Sequence, residues 1–169
     1  MKASWSAVVV LALAGTAMAQ SHSDRSFMEK ASQGNVAEVE LGKLALKKST
    51  NPDVRAFAEH MIKDHTMLGK KMAPLMTEAG LKPSVSLNTE HQHLYDKLNG
   101  LSGAEFDKEY IKAMDEDHHE DLKDFQDEAN STQVAQIKTT VSAGEKVIAQ
   151  HTQMADDLSK KMGLPIASS

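Results

Sequence analysis

Four stretches of this chain place apolar residues every three to four positions, and none shows the alternation of a half-buried strand. That confines the chain to helices packed on helices. The first segment runs from a cap at Ser23-Asp24 to about Lys48, with Phe27, Ala31, Leu41 and Ala45 on one stripe. Ser49-Thr50-Asn51-Pro52-Asp53 reads as a tight connection: Asn51 can cap, Pro52 suits the first helical position and Asp53 complements the helix dipole. The second segment starts at Pro52, carries Val54, Phe57, Met61, Leu68, Met72, Leu75 and Ala79 inward, and stops near Gly80. Pro74 inside it predicts a kink one turn upstream.

From Leu81 to Gly103 the periodicity weakens, leaving a loop and a short helix over Thr89 to Asn99. The third long segment spans about Ala104 to Ala129 with Phe106, Tyr110, Met114, Leu122 and Phe125 inward. Asn130-Ser131-Thr132 reads as a second tight turn with a cap. The fourth segment continues to about Met162 with Ile137, Val141, Ile148, Ala155 and Leu158 inward, ended by Gly163 and Pro165. Two short turns around one long connection describe two antiparallel hairpins joined by a crossover, the connectivity of ferritin-like four-helix bundles; an up-down-up-down bundle is the alternative.

Met1-Lys2, the apolar run Ala7 to Ala14 and Ala17-Met18-Ala19 follow the order of a secretory signal, so residues 1–19 are expected to be cleaved after Ala19. The bundle domain is then 20–165, followed by a disordered tail at 166–169, and the mature protein is periplasmic or extracellular. No further stretch could span a membrane. Without a single cysteine, the domain has neither disulfides nor thiolate metal ligands, and packing alone must stabilise it. The formal charge of −5 becomes −6 when Lys2 leaves, with both signs interspersed. The lack of a basic stripe and an aromatic content of 4% argue against a nucleic-acid partner.

One ionisable residue falls near the centre of each apolar stripe: Glu38, His65, His118 and His151, with Asp107 on the same side as His118. A polar group taken into a packed core must be paired, hydrogen-bonded or metal-bound. Helical rise puts Glu38 and His65 at one level on their hairpin. Counted from a turn at Ser131, His151 misses the level of His118 by roughly 10 Å. Two arrangements follow: Glu38, His65 and His118 cluster while His151 pairs with Asp107 or Tyr110, or a shifted register brings all four together. Neutral imidazoles with a carboxylate suit a divalent transition metal such as zinc, copper or iron, with Asp107 and Tyr110 as outer supports. A two-iron centre is disfavoured, because the residues three before each histidine are Ile62, Asp115 and Ile148, and only Asp115-x-x-His118 approaches the Glu-x-x-His pattern. The same groups could equally form a structural hydrogen-bonded network.

His60, His91, His93 and His119 fall on polar faces, and the acidic run Asp115, Glu116, Asp117, Glu120 and Asp121 reads as a solvated helix face. Met61, Met72 and Met76 have the spacing of core filler. A short self-match sets Phe57, Met61, Asp64 and His65 against Tyr110, Met114, Asp117 and His118. Serine-nucleophile motifs and glycine-rich phosphate loops are missing, so hydrolase and nucleotide chemistry have no support, and a non-enzymatic role is expected.

The signal, Phe27, the string Ala37-Glu38-Val39-Glu40-Leu41-Gly42-Lys43-Leu44-Ala45, and Val54-Arg55-Ala56-Phe57-Ala58 leading to Asp64-His65 resemble domain-of-unknown-function family 4142. Gly103-Ala104-Glu105-Phe106-Asp107 with Tyr110, His118 and His151 extend that resemblance from about Phe27 to Leu164. It implies an exported ferritin-like protein of the periplasm or outer membrane, with no established activity. Since no strands are present to form a barrel, any envelope attachment would be peripheral. Two functions are carried forward: an envelope or stress-related helical module, and a metal-binding bundle.

Overall fold

The computed structural model describes residues 21–167 and consists there of five helices: α1 (His22–Lys48), α2 (Pro52–Glu78), α3 (Thr89–Asn99), α4 (Gly103–Ser131) and α5 (Ala135–Met162). The expected signal peptide lies outside the described residues. Helix α1 begins slightly earlier than its sequence suggests, because Ser21 rather than Ser23 caps it: Asp24 N–H donates to Ser21 Oγ at 3.0 Å and Ser21 N–H to Asp24 Oδ2 at 2.7 Å, a reciprocal capping box. Asn51 caps α2 through Asp53 N–H, with Pro52 at the first position. Pro74 lies within α2 without ending it. Gly163 closes α5 in the left-handed conformation at φ 68°, which suits a residue without a Cβ.

Ion pairs and hydrogen bonds fix the direction of each helix. Lys30 of α1 meets Glu120 and Asp124 of α4, while Lys48 near the far end of α1 reaches the Asn99 and Leu101 carbonyls just before α4 begins. Hence α1 and α4 are antiparallel. Lys161 pairs with Asp53 and His151 with Asp64, so α2 and α5 are antiparallel as well. Helices α2 and α4 therefore run the same way, and the chain between them must travel the length of the bundle. It does so as a crossover carrying α3, which packs against α1 and α4. This is the two-hairpin, long-crossover connectivity, and the up-down-up-down alternative is set aside.

Two apolar clusters fill the interior. One gathers Leu41, Phe57, Met61, Phe106, Tyr110, Met114 and Ala155; the other gathers Met28, Met72, Met76, Phe125, Ile137 and Ile148 towards the opposite end. Met61, Met72 and Met76 of α2 pack in these cores. Helices approach closely where glycine permits: a Cβ at Gly144 would lie 2.5 Å from Phe125 Cε1, and one at Gly42 only 3.1 Å from the Ala58 carbonyl oxygen.

Candidate metal centre

Between the two apolar clusters the bundle interior changes character. His65 of α2, His118 of α4 and His151 of α5 are each at most 2% exposed, and their rings stand 5.2–5.6 Å apart. One ring nitrogen of each lies within 4.8 Å of one from each of the others. Phe57 roofs the group from the first cluster, 6.4 Å from both His118 and His151.

Each imidazole is oriented from outside this centre. His118 Nδ1–H donates to the Met114 carbonyl at 2.8 Å, one turn back on its own helix. His65 Nδ1 faces Asn35 Oδ1 of α1 at 3.1 Å, and His151 Nε2–H donates to Asp64 Oδ2 of α2 at 3.2 Å. These bonds fix the tautomers. His65 Nε2, His118 Nε2 and His151 Nδ1 keep their lone pairs, are fully buried, and have no hydrogen-bond partner. A donor on one side and an inward lone pair on the other is how proteins hold a metal-ligating imidazole. Burial lowers the basicity of all three: His118 falls to about 4, with His151 adding to the effect and Asp117 opposing it. His65 is lowered further by its two neighbours, and in His151 burial outweighs the opposing Asp64. The imidazoles are therefore neutral at neutral pH, the state a metal requires.

Glu38 belongs to the same layer but to a different grouping. Its carboxyl meets Asp117 and His118 within 4.8 Å. Burial, the hydrogen bond shared with Asp117 and the charges of Asp117 and Asp121 all raise it well above the ordinary range, so it holds a proton. Tyr110 is raised by burial and by Glu38, and its buried hydroxyl has no hydrogen-bond partner. Asp107 is buried with one oxygen unpartnered.

Of the two expected arrangements, the one that pairs His151 with Asp107 or Tyr110 is corrected: His151 joins His65 and His118, and Asp64 holds it. The cause lies in the second turn. Asn130 and Ser131 extend α4, no side chain caps α5 at Val134, and the connection centres on Gln133. From Gln133, fifteen residues lead back to His118 and eighteen lead on to His151, which reduces the axial mismatch to about 4.5 Å.

The supporting residues Asn35, Asp64 and Asp117 carry no ligand signal as single residues, yet the Asp-His pairs of the internal self-match mark two of them. On the parallel helices α2 and α4, each pair turns its histidine to the centre and its aspartate towards a neighbour, Asp64 to α5 and Asp117 to α1. The acidic run of α4 is not simply a solvated face, because Asp115 is 1% exposed. Nor is His119 solvated: its Nε2 lies 3.0 Å from Asp156 Oδ1.

No curated protein matches the chain. Two solved structures share its fold. One is a DUF305 protein of Streptomyces coelicolor, designated a candidate secreted protein, with a TM-score of 0.72 and 16% identity, covering 87% of this chain and 98% of its own. The other is a DUF305 fragment from Deinococcus radiodurans, with a TM-score of 0.68 and 12% identity, covering 84% of this chain and 98% of its own. At these identities the likeness speaks for the helical fold alone. The profile of the domain of unknown function DUF4142 matches residues 10–158, well over half of the sequence, and the chain belongs to that family.

Proposed function

We propose that this protein is an exported, non-enzymatic helical bundle that binds one divalent transition-metal ion in its core through His65, His118 and His151. The observation that carries this reading is the convergence of three buried imidazoles, each with one nitrogen tied down and the other lacking a partner. An unsatisfied buried polar atom costs roughly 1–3 kcal/mol, and three together need a return that packing does not supply. A metal ion satisfies all three at once. An all-imidazole donor set suits zinc, copper, iron or nickel over magnesium or calcium. Glu38 and Asp117, sharing a proton beside His118, supply a carboxylate that can approach the ion once that proton leaves.

Access runs along the Asp64 side. A surface depression of about 310 Å³ is lined by His60, Asp64, His151 and Met154, and leads directly to the His151 ring. Export is supported by the amino-terminal signal pattern and by the secreted designation of the Streptomyces neighbour. An envelope role in metal handling or stress protection fits a site enclosed within the bundle core.

The test is elemental analysis of untagged protein, together with thermal unfolding in added zinc, copper or iron. Near-stoichiometric metal is expected, with a stabilisation of about 2.7 kcal/mol when free metal exceeds the dissociation constant a hundredfold. His65→Ala removes that gain. Unchanged melting in every metal, or an equal response from His65→Ala, rejects the reading.

A further inference from the structure

A second cluster lies outside the core, where α4 and α5 meet the residues after α5. Asp115, His119 and Asp156 each place a ligand atom within 4.8 Å of the other two. His119 Nε2 stands 3.0 Å from Asp156 Oδ1 and 3.8 Å from Asp115 Oδ1. Asp115 is 1% exposed, and its Oδ1, which no backbone or side-chain N–H partners, faces the cluster, where its carboxyl lies beside that of Asp156. The other oxygen, Oδ2, accepts the Ala167 N–H at 2.8 Å. Pro165, Ile166 and Ala167 form one wall of a groove of about 550 Å³ there; residues 168–169 lie outside the described residues.

The electrostatics point the same way. Two carboxylates and an imidazole surround one spot, and the lysines lining the groove have carboxylate partners other than Asp115 and Asp156: Lys112 lies 3.9 Å from Glu116, and Lys123 bonds Asp127 at 2.8 Å. A cation replacing the His119 Nε2 proton would meet Asp115 Oδ1, Asp156 Oδ1 and Nε2 together.

We infer that Asp115, His119 and Asp156 form a second cation site, independent of the imidazole centre, for a divalent ion of intermediate hardness such as zinc or manganese. Two oxygens and one nitrogen favour a harder ion than three imidazoles do. The open groove leaves the remaining positions to water, so this ion exchanges readily while the core ion is enclosed. The Ala167 bond also couples the site to the chain end, since a bound ion and the backbone N–H hold the same carboxylate from opposite sides.

The experiment is equilibrium dialysis of metal-stripped, untagged protein against zinc, with metal counted per chain. Wild type should bind two equivalents, His119→Gln/Asp156→Asn one, and His65→Ala/His151→Ala one. Equal zinc in wild type and His119→Gln/Asp156→Asn overturns this inference whatever the core does. Equal zinc in wild type and His65→Ala/His151→Ala instead strikes the core reading. Asp156→Asn alone, a conservative change at a part-exposed position, should weaken the second equivalent about tenfold or more. As a check independent of folding, substoichiometric manganese should broaden the His119 ring protons before those of His91 and His93. Uniform broadening of all three overturns the assignment.

Discussion

Two buried polar layers lie in the same bundle and solve different problems. At the α1 amino terminus, Asp24 and Glu128 are each 3% exposed and hold one another. Burial alone would raise Asp24, but hydrogen bonds from Ser21, Glu128 and Thr132 outweigh it and hold it below the ordinary range. Burial and the adjacent Asp24 raise Glu128 to about 7, so it keeps the proton that joins the two. That layer joins its two carboxyls to each other, leaving only Glu128 Oε1 of the pair buried without a partner, and fastens three chain segments: the helix start, the end of α4 and the turn beyond it. The central layer is closed only outwards. His65, His118 and His151 spend one nitrogen each on protein partners and leave the other buried without one. Equal burial with unequal satisfaction separates a structural joint from a site shaped for something to be added.

The largest expected contrast comes from His118→Leu in metal-free protein across pH. The folded ring holds its pKa near 4 against an ordinary 6.5, so the native state binds fewer protons than the unfolded chain between those values. Wild-type stability contributed by this ring is complete above about 6.5 and is lost as pH falls towards 4, by on the order of 3 kcal/mol. Glu38 and Asp121, raised by burial and neighbouring charge, act in the opposite direction, so the quantity to follow is the difference between wild type and variant. Denaturant unfolding at several pH values should show that difference growing on acidification in favour of the leucine. Near pH 7.5, His118→Leu should match or exceed metal-free wild type while losing the response to metal that the imidazole centre supplies, because apolar replacement of a half-satisfied polar group is close to neutral or stabilising. A loss of several kcal/mol there would make the central layer a structural joint like the other.

The opposite outcome is expected at the end layer. Asp24→Ala removes the reciprocal cap of α1 and strands Glu128, which should cost about 1–2 kcal/mol whether or not metal is present. Asp64→Asn falls between the two. The amide can still accept the His151 Nε2–H, so metal-free melting should hardly move, but the lost negative charge should weaken core metal binding about tenfold, or 1.4 kcal/mol. Calorimetric titration measures that directly. Unaltered affinity would mean that Asp64 does not tune the site.

The helices were legible in the sequence because their signals are local. Pro52 after Asn51 and Gly163 after α5 act through their own backbone geometry, and the apolar stripes are periodic whatever packs against them. The inward imidazoles could be read from the same periodicity. Their partners could not, since Asp64 reaches His151 across 87 residues and Asn35 reaches His65 across 30, pairings set by the tilt and register of whole helices. The level of His151 departs from the sequence expectation through one turn: Asn130-Ser131-Thr132 carries cap-forming residues, yet α4 runs through Ser131, and the cap motif loses to continued packing of Phe125 and Ala129. His119 and Asp115 read as surface because helical projection takes no account of the residues after α5, which return to cover that face.

The finest division between the two layers is the sign of their pH response, and Glu128→Gln tests it. In wild type the folded pKa of Glu128, about 7, exceeds the ordinary 4.5, so the native state carries the extra proton between these values. Stability from this group is therefore present at low pH and declines as pH rises through about 7, the reverse of His118. Glutamine keeps a donor towards Asp24 at every pH. The variant should equal wild type near pH 5 and surpass it at pH 8 by under about 1 kcal/mol, as expected for a pair near the end of the bundle. Parallel melting curves for the two proteins from pH 5 to 8 would show that Asp24 is held by its cap alone, and that the proton shared with Glu128 contributes nothing to the joint.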